Sequence, residues 1–147
     1  MAWVVDTCVL IDVLDEDPAF GISSAQSLED CMEAGLVVCP ITYAELSPAF
    51  QGDRELQDEF LAAVGVDFQQ DWTWADTLRT HAAWFDFVQR RRAGQLAKRP
   101  LADVLIGAFA TRFEGLITRN SDDFASLFPA LPLRVPGAPT TPDSEAP

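Results

Sequence analysis

Histidine is almost missing from this 147-residue chain: His81 stands alone, so chemistry that needs two imidazoles is excluded by count. Cysteine is scarce and unpaired. Cys8, Cys31 and Cys39 are odd in number, form no CxxC motif and sit in apolar runs, where a free thiol behaves as a small hydrophobe. That pattern argues against a disulfide frame and for a reducing compartment. No uncharged apolar run reaches the length of about 18 residues that a membrane span requires. Asp6, Asp12 and Asp15 also break the N-terminal hydrophobic stretch that a secretory leader would need. The expected place of the protein is the cytoplasm, with no membrane partner.

Positive charge is the other shortage. Ten lysines and arginines face 23 acids, for a formal charge of −13, and the far field of such a molecule repels a polyanion. Nucleic acid is not thereby excluded, because five of the ten basic residues lie between Arg90 and Arg99, where a local positive patch can form. The bland reading of Arg90 to Arg92 is a solvated helix end that suits the negative end of the helix dipole.

What is plentiful is apolar: 48% of the residues are hydrophobic, enough for one domain with one core. Ala2-Trp3-Val4-Val5 reads as a strand, and Asp6-Thr7 is a helix-start signal before Val9, Leu10, Val13 and Leu14 recur at helical spacing. Leu36-Val37-Val38-Cys39, bounded by Gly35 and Pro40, reads as a second strand, followed by a helix carrying Ile41, Ala44, Glu45 and Leu46. Helices are expected at Arg54 to Val64 and Trp72 to Ala93, with a short strand at Val66-Asp67-Phe68. Pro100 opens a helix through Leu101, Leu105 and Phe109 that stops near Gly115, before a strand at Leu116-Ile117-Thr118. A short helix near Asp122 to Phe128 and a strand around Leu131 to Val135 complete a domain over 1–135. Residues 136–147 hold four prolines and no large apolar side chain and read as a disordered tail. Strands alternating with helices imply an α/β fold with a parallel sheet.

Ligands of such sheets bind beyond the carboxyl ends of the strands, and four acids are delivered there. Asp6 ends the first strand, Glu45 is placed early in the helix that leaves the second, Asp103 begins the helix that runs back to the Leu116 strand, and Asp123 follows that strand. Taken singly, three of them fit ordinary helix capping or the N-terminal dipole. Their apolar surroundings favour function, since a carboxylate against buried surface is costly unless a cation compensates it. Convergent carboxylates without a basic partner suit Mg²⁺ or Mn²⁺ rather than zinc. His81 and the tryptophans Trp72, Trp74 and Trp84 are assigned to packing in a core or dimer interface, ahead of base stacking for the tryptophans.

Four blocks in this order resemble the PIN-domain ribonucleases, and among them the VapC toxins. They are Val4-Val5-Asp6-Thr7 with Leu10-Ile11-Asp12; Ile41-Thr42-Tyr43-Ala44-Glu45-Leu46; Leu101-Ala102-Asp103-Val104-Leu105-Ile106-Gly107-Ala108; and Leu116-Ile117-Thr118-Arg119-Asn120 with Asp123-Phe124. The resemblance implies a three-layer α/β/α domain, a homodimer, an antitoxin partner, and an acid cluster that binds Mg²⁺ or Mn²⁺ to cleave RNA, leaving a 3′-hydroxyl and a 5′-phosphate. Asp6, Glu45 and Asp103 match the family's core acids. The fourth group is Asp123 by preference, with Asn120 or Asp122 as alternatives. On this reading Asp6 and Asp103 are direct metal ligands, and Glu45 and Asp123 shape a second position or orient the water. Thr7 and Thr118 fix the carboxylates from behind, Asn120 holds a water or ligates through its carbonyl, and Lys98 and Arg99 hold RNA phosphates.

Other readings fit less well. A dehalogenase-type phosphatase needs an acid at the position of Cys8, and a receiver domain needs an acidic pair before the end of the first strand and a lysine after a later one, and neither stands there. A PIN fold acting only as a binding module, or as a housekeeping nuclease, remains open.

Overall fold

The computed structural model describes residues 1–91 and 101–137. Five strands alternate with helices: β1 (Trp3–Val5), α1 (Thr7–Leu14), α2 (Gly21–Cys31), β2 (Leu36–Val37), α3 (Pro40–Glu45), a 3-10 turn at Ser47–Phe50, α4 (Arg54–Ala63), β3 (Val66–Asp67), α5 (Trp74–Arg91), α6 (Leu101–Ala110), β4 (Gly115–Ile117), α7 (Ser121–Leu127) and β5 (Leu133–Arg134). The sheet order is β3-β2-β1-β4-β5 and every neighbouring pair is parallel. The chain builds outward from β1 through β2 to β3, then crosses back to lay β4 on the other side. The order therefore reverses between β1 and β4, where α/β sheets open a crevice.

Both sheet faces are covered, as a parallel sheet requires. Because side chains alternate along a strand, Val5, Leu36 and Ile117 join Val9, Leu10, Leu28 and Leu61 under α1, α2 and α4. Val4, Val37 and Leu116 join Ile106, Phe109 and Phe124 under α6 and α7. The result is the three-layer α/β/α arrangement expected from the sequence. No helix among the described residues is long and apolar enough to cross a membrane.

Helix α5 is fastened at its start. Thr73 and Asp76 cap each other reciprocally, the Thr73 N–H donating to Asp76 Oδ2 (2.9 Å) and the Asp76 N–H to Thr73 Oγ1 (3.2 Å). Asp76 is fully buried and takes a two-pronged pair from Arg112, just past α6, at 2.9 Å for each prong. Burial pushes its pKa up, but the hydrogen bonds from Arg112 and Thr73 and the guanidinium charge outweigh that and hold it below the ordinary carboxylate value.

Several expectations change. Helix α2 has no counterpart in the sequence reading, because its buried face is built from Gly21, Ser24, Ser27, Leu28 and Cys31, small or polar residues that blur the hydrophobic period. Helix α6 ends at Ala110 and Gly115 opens β4, where an added Cβ would strike the Pro132 carbonyl and the Trp3 ring. Trp72 does pack, stacked on Phe109 at 6.4 Å and donating through Nε1 to Thr77, and Trp84 stacks on Phe87. Trp74 is 72% exposed and His81 is exposed, so neither is core; both lie on the outer face of α5. Of the tail, residues 138–147 lie outside the described residues.

Candidate functional site

Asp6 sits at the carboxyl end of the central strand, on the β1 side of the switch point. Its backbone N–H donates to the Ile117 carbonyl of β4 (2.9 Å) and its own carbonyl accepts from Val9 to begin α1 (3.1 Å). The side chain is 3% exposed. Oδ1 accepts from the Thr7 N–H (2.8 Å), and Oδ2 accepts from the Thr118 hydroxyl (2.6 Å) and the Cys8 thiol (3.4 Å). Burial raises the pKa of Asp6 most; the bonds from Thr118, Cys8 and Thr7 pull it down, the charge on Glu45 pushes it up, and the balance is a raised value. Burial likewise pushes the Cys8 thiol up to about 12, so it is a neutral donor here and not a nucleophile.

Thr7 connects the first acid to the second. Its backbone N–H serves Asp6, while its hydroxyl donates to Glu45 Oε1 at 2.6 Å and lies 3.1 Å from the Thr42 hydroxyl. Glu45 is the last residue of α3, not an early one as expected, because α3 stops after six residues. That changes its meaning. A carboxylate at a helix C-terminus opposes the dipole, so helix stabilisation does not explain Glu45, which stands exposed at the edge with its charge directed at Asp6.

Asp103 is half-buried in the first turn of α6, which starts at this edge because it runs back to β4. Asp123 is exposed in the first turn of α7, and Asn120, just before that helix, is exposed with its N–H donating to Thr118 Oγ1 at 2.9 Å. Thr118 is fully buried and joins Asn120 to Asp6 through one hydroxyl. Lys98 and Arg99 lie outside the described residues.

The donors match a hard divalent cation in kind: a desolvated Asp6 carboxylate with Glu45 linked to it through Thr7, and no ion pair to Asp6 among the described residues. In position the match is incomplete. Asp6 and Glu45 are joined through Thr7, but among the described residues no three His, Cys, Asp or Glu side chains stand close enough to hold an ion as they are.

One pair at the site escaped the sequence reading. Asp12, 3% exposed, accepts from Arg119 Nε at 2.6 Å and Nη2 at 2.9 Å and from Ser24 Oγ at 3.0 Å. Both residues fall inside the quoted motifs, yet they are separated by most of the chain, and no local signal pairs them.

The sequence matches no protein-family model and no curated protein. In structure it is similar to a chain of VapBC2 from Rickettsia felis, crystallised bound to a DNA fragment from the promoter. The TM-score is 0.68 at 18% identity, over 92% of this chain and 98% of that one. At that identity the likeness carries the fold, and the parallel sheet between two helical layers fits the PIN-domain fold that the sequence motifs imply.

Proposed function

We propose that this chain is a Mg²⁺- or Mn²⁺-dependent endoribonuclease, the toxin half of a toxin–antitoxin pair, acting in the cytoplasm through a catalytic domain over 1–135. The observation that carries the reading is the buried carboxylate of Asp6 at the switch point, with a second charge, Glu45, held beside it by the Thr7 hydroxyl. Leaving two acids so close is unfavourable without a counter-charge. A bound divalent ion supplies that charge, lowers the pKa of a water and stabilises developing charge on phosphoryl oxygens.

In this reading Asp6 and Asp103 hold the ion, and Glu45 and Asp123 orient the water or complete a second position. Thr118 and Thr7 fix the carboxylates, Asn120 supports the same edge, and Lys98 and Arg99 bind phosphates of the RNA. An antitoxin partner is supported by the name of the structural neighbour, a VapBC complex. A homodimer is supported by the outer face of α5, where Trp74, Leu78 and Phe85 are 72%, 55% and 59% exposed at helical spacing.

The test is cleavage of RNA by purified protein with Mg²⁺ or Mn²⁺. Cutting is expected only with the metal, and Asp6→Ala and Asp103→Ala are expected to abolish it while the protein stays folded. Undiminished cutting in EDTA defeats the metal reading. The second reading, a PIN fold that binds without cutting, is favoured by the absence of a ready three-acid cage among the described residues. It wins if metal is bound, or not, with no cleavage.

A further inference from the structure

The loop between β4 and α7 is fastened at two points along α1, at its capping residue and in its second turn. The Thr118 hydroxyl donates to Asp6, the residue that caps α1. Further along the helix, the Arg119 guanidinium closes on Asp12 with two hydrogen bonds, while its Cζ rests 4.3 Å from the centre of the Phe20 ring. Asp12 is buried, and Ser24 supplies it with a third donor. A carboxylate buried this deeply is costly to desolvate, and what a two-pronged pair gives in return is fixed geometry more than stability.

Arg119 stands between Thr118, which holds Asp6, and Asn120, whose N–H shares the Thr118 hydroxyl. Any shift of Arg119 moves both neighbours. Its fork is already spent on Asp12, the edge that a phosphate would otherwise take, so it acts through the loop and not on the substrate. We propose that Arg119, clamped by Asp12 and Phe20, is a positioning residue that sets where the β4–α7 loop, with Asn120 and the start of α7, stands against Asp6. The consequence for metal binding rests on the metal-centre reading above; the placement of the loop does not.

Two variants test it: Arg119→Lys, which keeps the charge but not the fork, and the double change Asp12→Leu with Arg119→Leu, which replaces the pair by apolar side chains and removes the buried charge. Circular dichroism checks that each folds. Amide exchange without metal is expected to quicken about tenfold at Asn120, the loss of one local hydrogen bond. The amide of Leu116, bonded to Pro132 within the sheet, serves as an unchanged control. Mn²⁺ affinity by calorimetry is expected to fall about 10- to 100-fold, the range for lost supporting contacts. Unchanged exchange at Asn120 in the double variant overturns the proposal. So does faster exchange with unaltered Mn²⁺ affinity, since the loop would then not set the site. If exchange quickens but the wild-type protein itself binds no Mn²⁺, the positioning role stands and the metal reading falls.

Discussion

Thr118 and Asp6 meet across the join of β4 and β1, the threonine hydroxyl donating to Oδ2 at 2.6 Å with both side chains buried. The central acid is therefore held by the neighbouring strand, and its environment depends on one hydroxyl more than on any charge. Thr118→Val keeps the shape and removes the donor. It is expected to cost about 1–3 kcal/mol, the penalty for a buried polar group left short of a partner, in urea unfolding at neutral pH. Thr118→Ser should recover most of the loss.

Two buried acids should impose opposite pH dependences. Asp6 has a raised folded pKa, so its contribution is fullest below the unfolded value of about 3.9 and is lost as pH climbs toward the folded value. Asp76 has a lowered one, so its contribution is present above about 3.9 and vanishes as pH falls through the folded value. Asp76→Asn should lower stability at neutral pH by about 3 kcal/mol, since it leaves Arg112 without its counter-charge, and should flatten the acid limb. Asp6→Asn should remove a decline on the other side. Parallel changes in the two variants would contradict the assignment.

Metal should stabilise the folded chain. At about 100 times its dissociation constant, Mn²⁺ is expected to add about 2.7 kcal/mol if it binds only the folded state, seen as a higher melting temperature at fixed ionic strength. Asp103→Asn should show a smaller rise and an apo stability equal to or above that of the wild type. An Asn variant that is markedly weaker without metal and gains the full shift with it would make Asp103 a structural residue.

The α5 face offers a fourth check. Glutamate at both Leu78 and Phe85 lies on solvent-facing positions and should leave the fold intact. Sedimentation should then show the particle mass halved relative to the wild type. A wild-type chain that already sediments as a monomer removes the homodimer from the proposal.

Much of this architecture is legible in the sequence, for identifiable reasons. Val4-Val5, Leu36-Val37 and Leu116-Ile117 are unbroken apolar runs because both sheet faces are covered, and Asp6-Thr7 marks the start of α1 in plain sight. Helix α2 is not legible, because glycine and two serines interrupt its buried face. The place of Glu45 at the end of its helix is not legible, because nothing in Ile41 to Leu46 announces that α3 stops after six residues. The exposure of Trp74 and His81 depends on which face α5 turns toward α6, and aromatic content alone does not report that. The Asp12–Arg119 and Asp76–Arg112 pairs are set by tertiary packing, beyond the reach of any local pattern.

Helix α1 carries Thr7, Cys8 and Asp12 in fixed angular register behind its cap Asp6, each already committed to a partner. A single residue inserted between Thr7 and Asp12 would rotate Asp12 by about 100° relative to Asp6 and part it from Arg119, leaving the β4–α7 loop on its Thr118–Asp6 bond alone. The exposed turn at residues 51–52, with open space around Gly52, should accept the same insertion quietly. Sensitivity to length, more than to composition, is thus where natural variation in this chain should be most restricted.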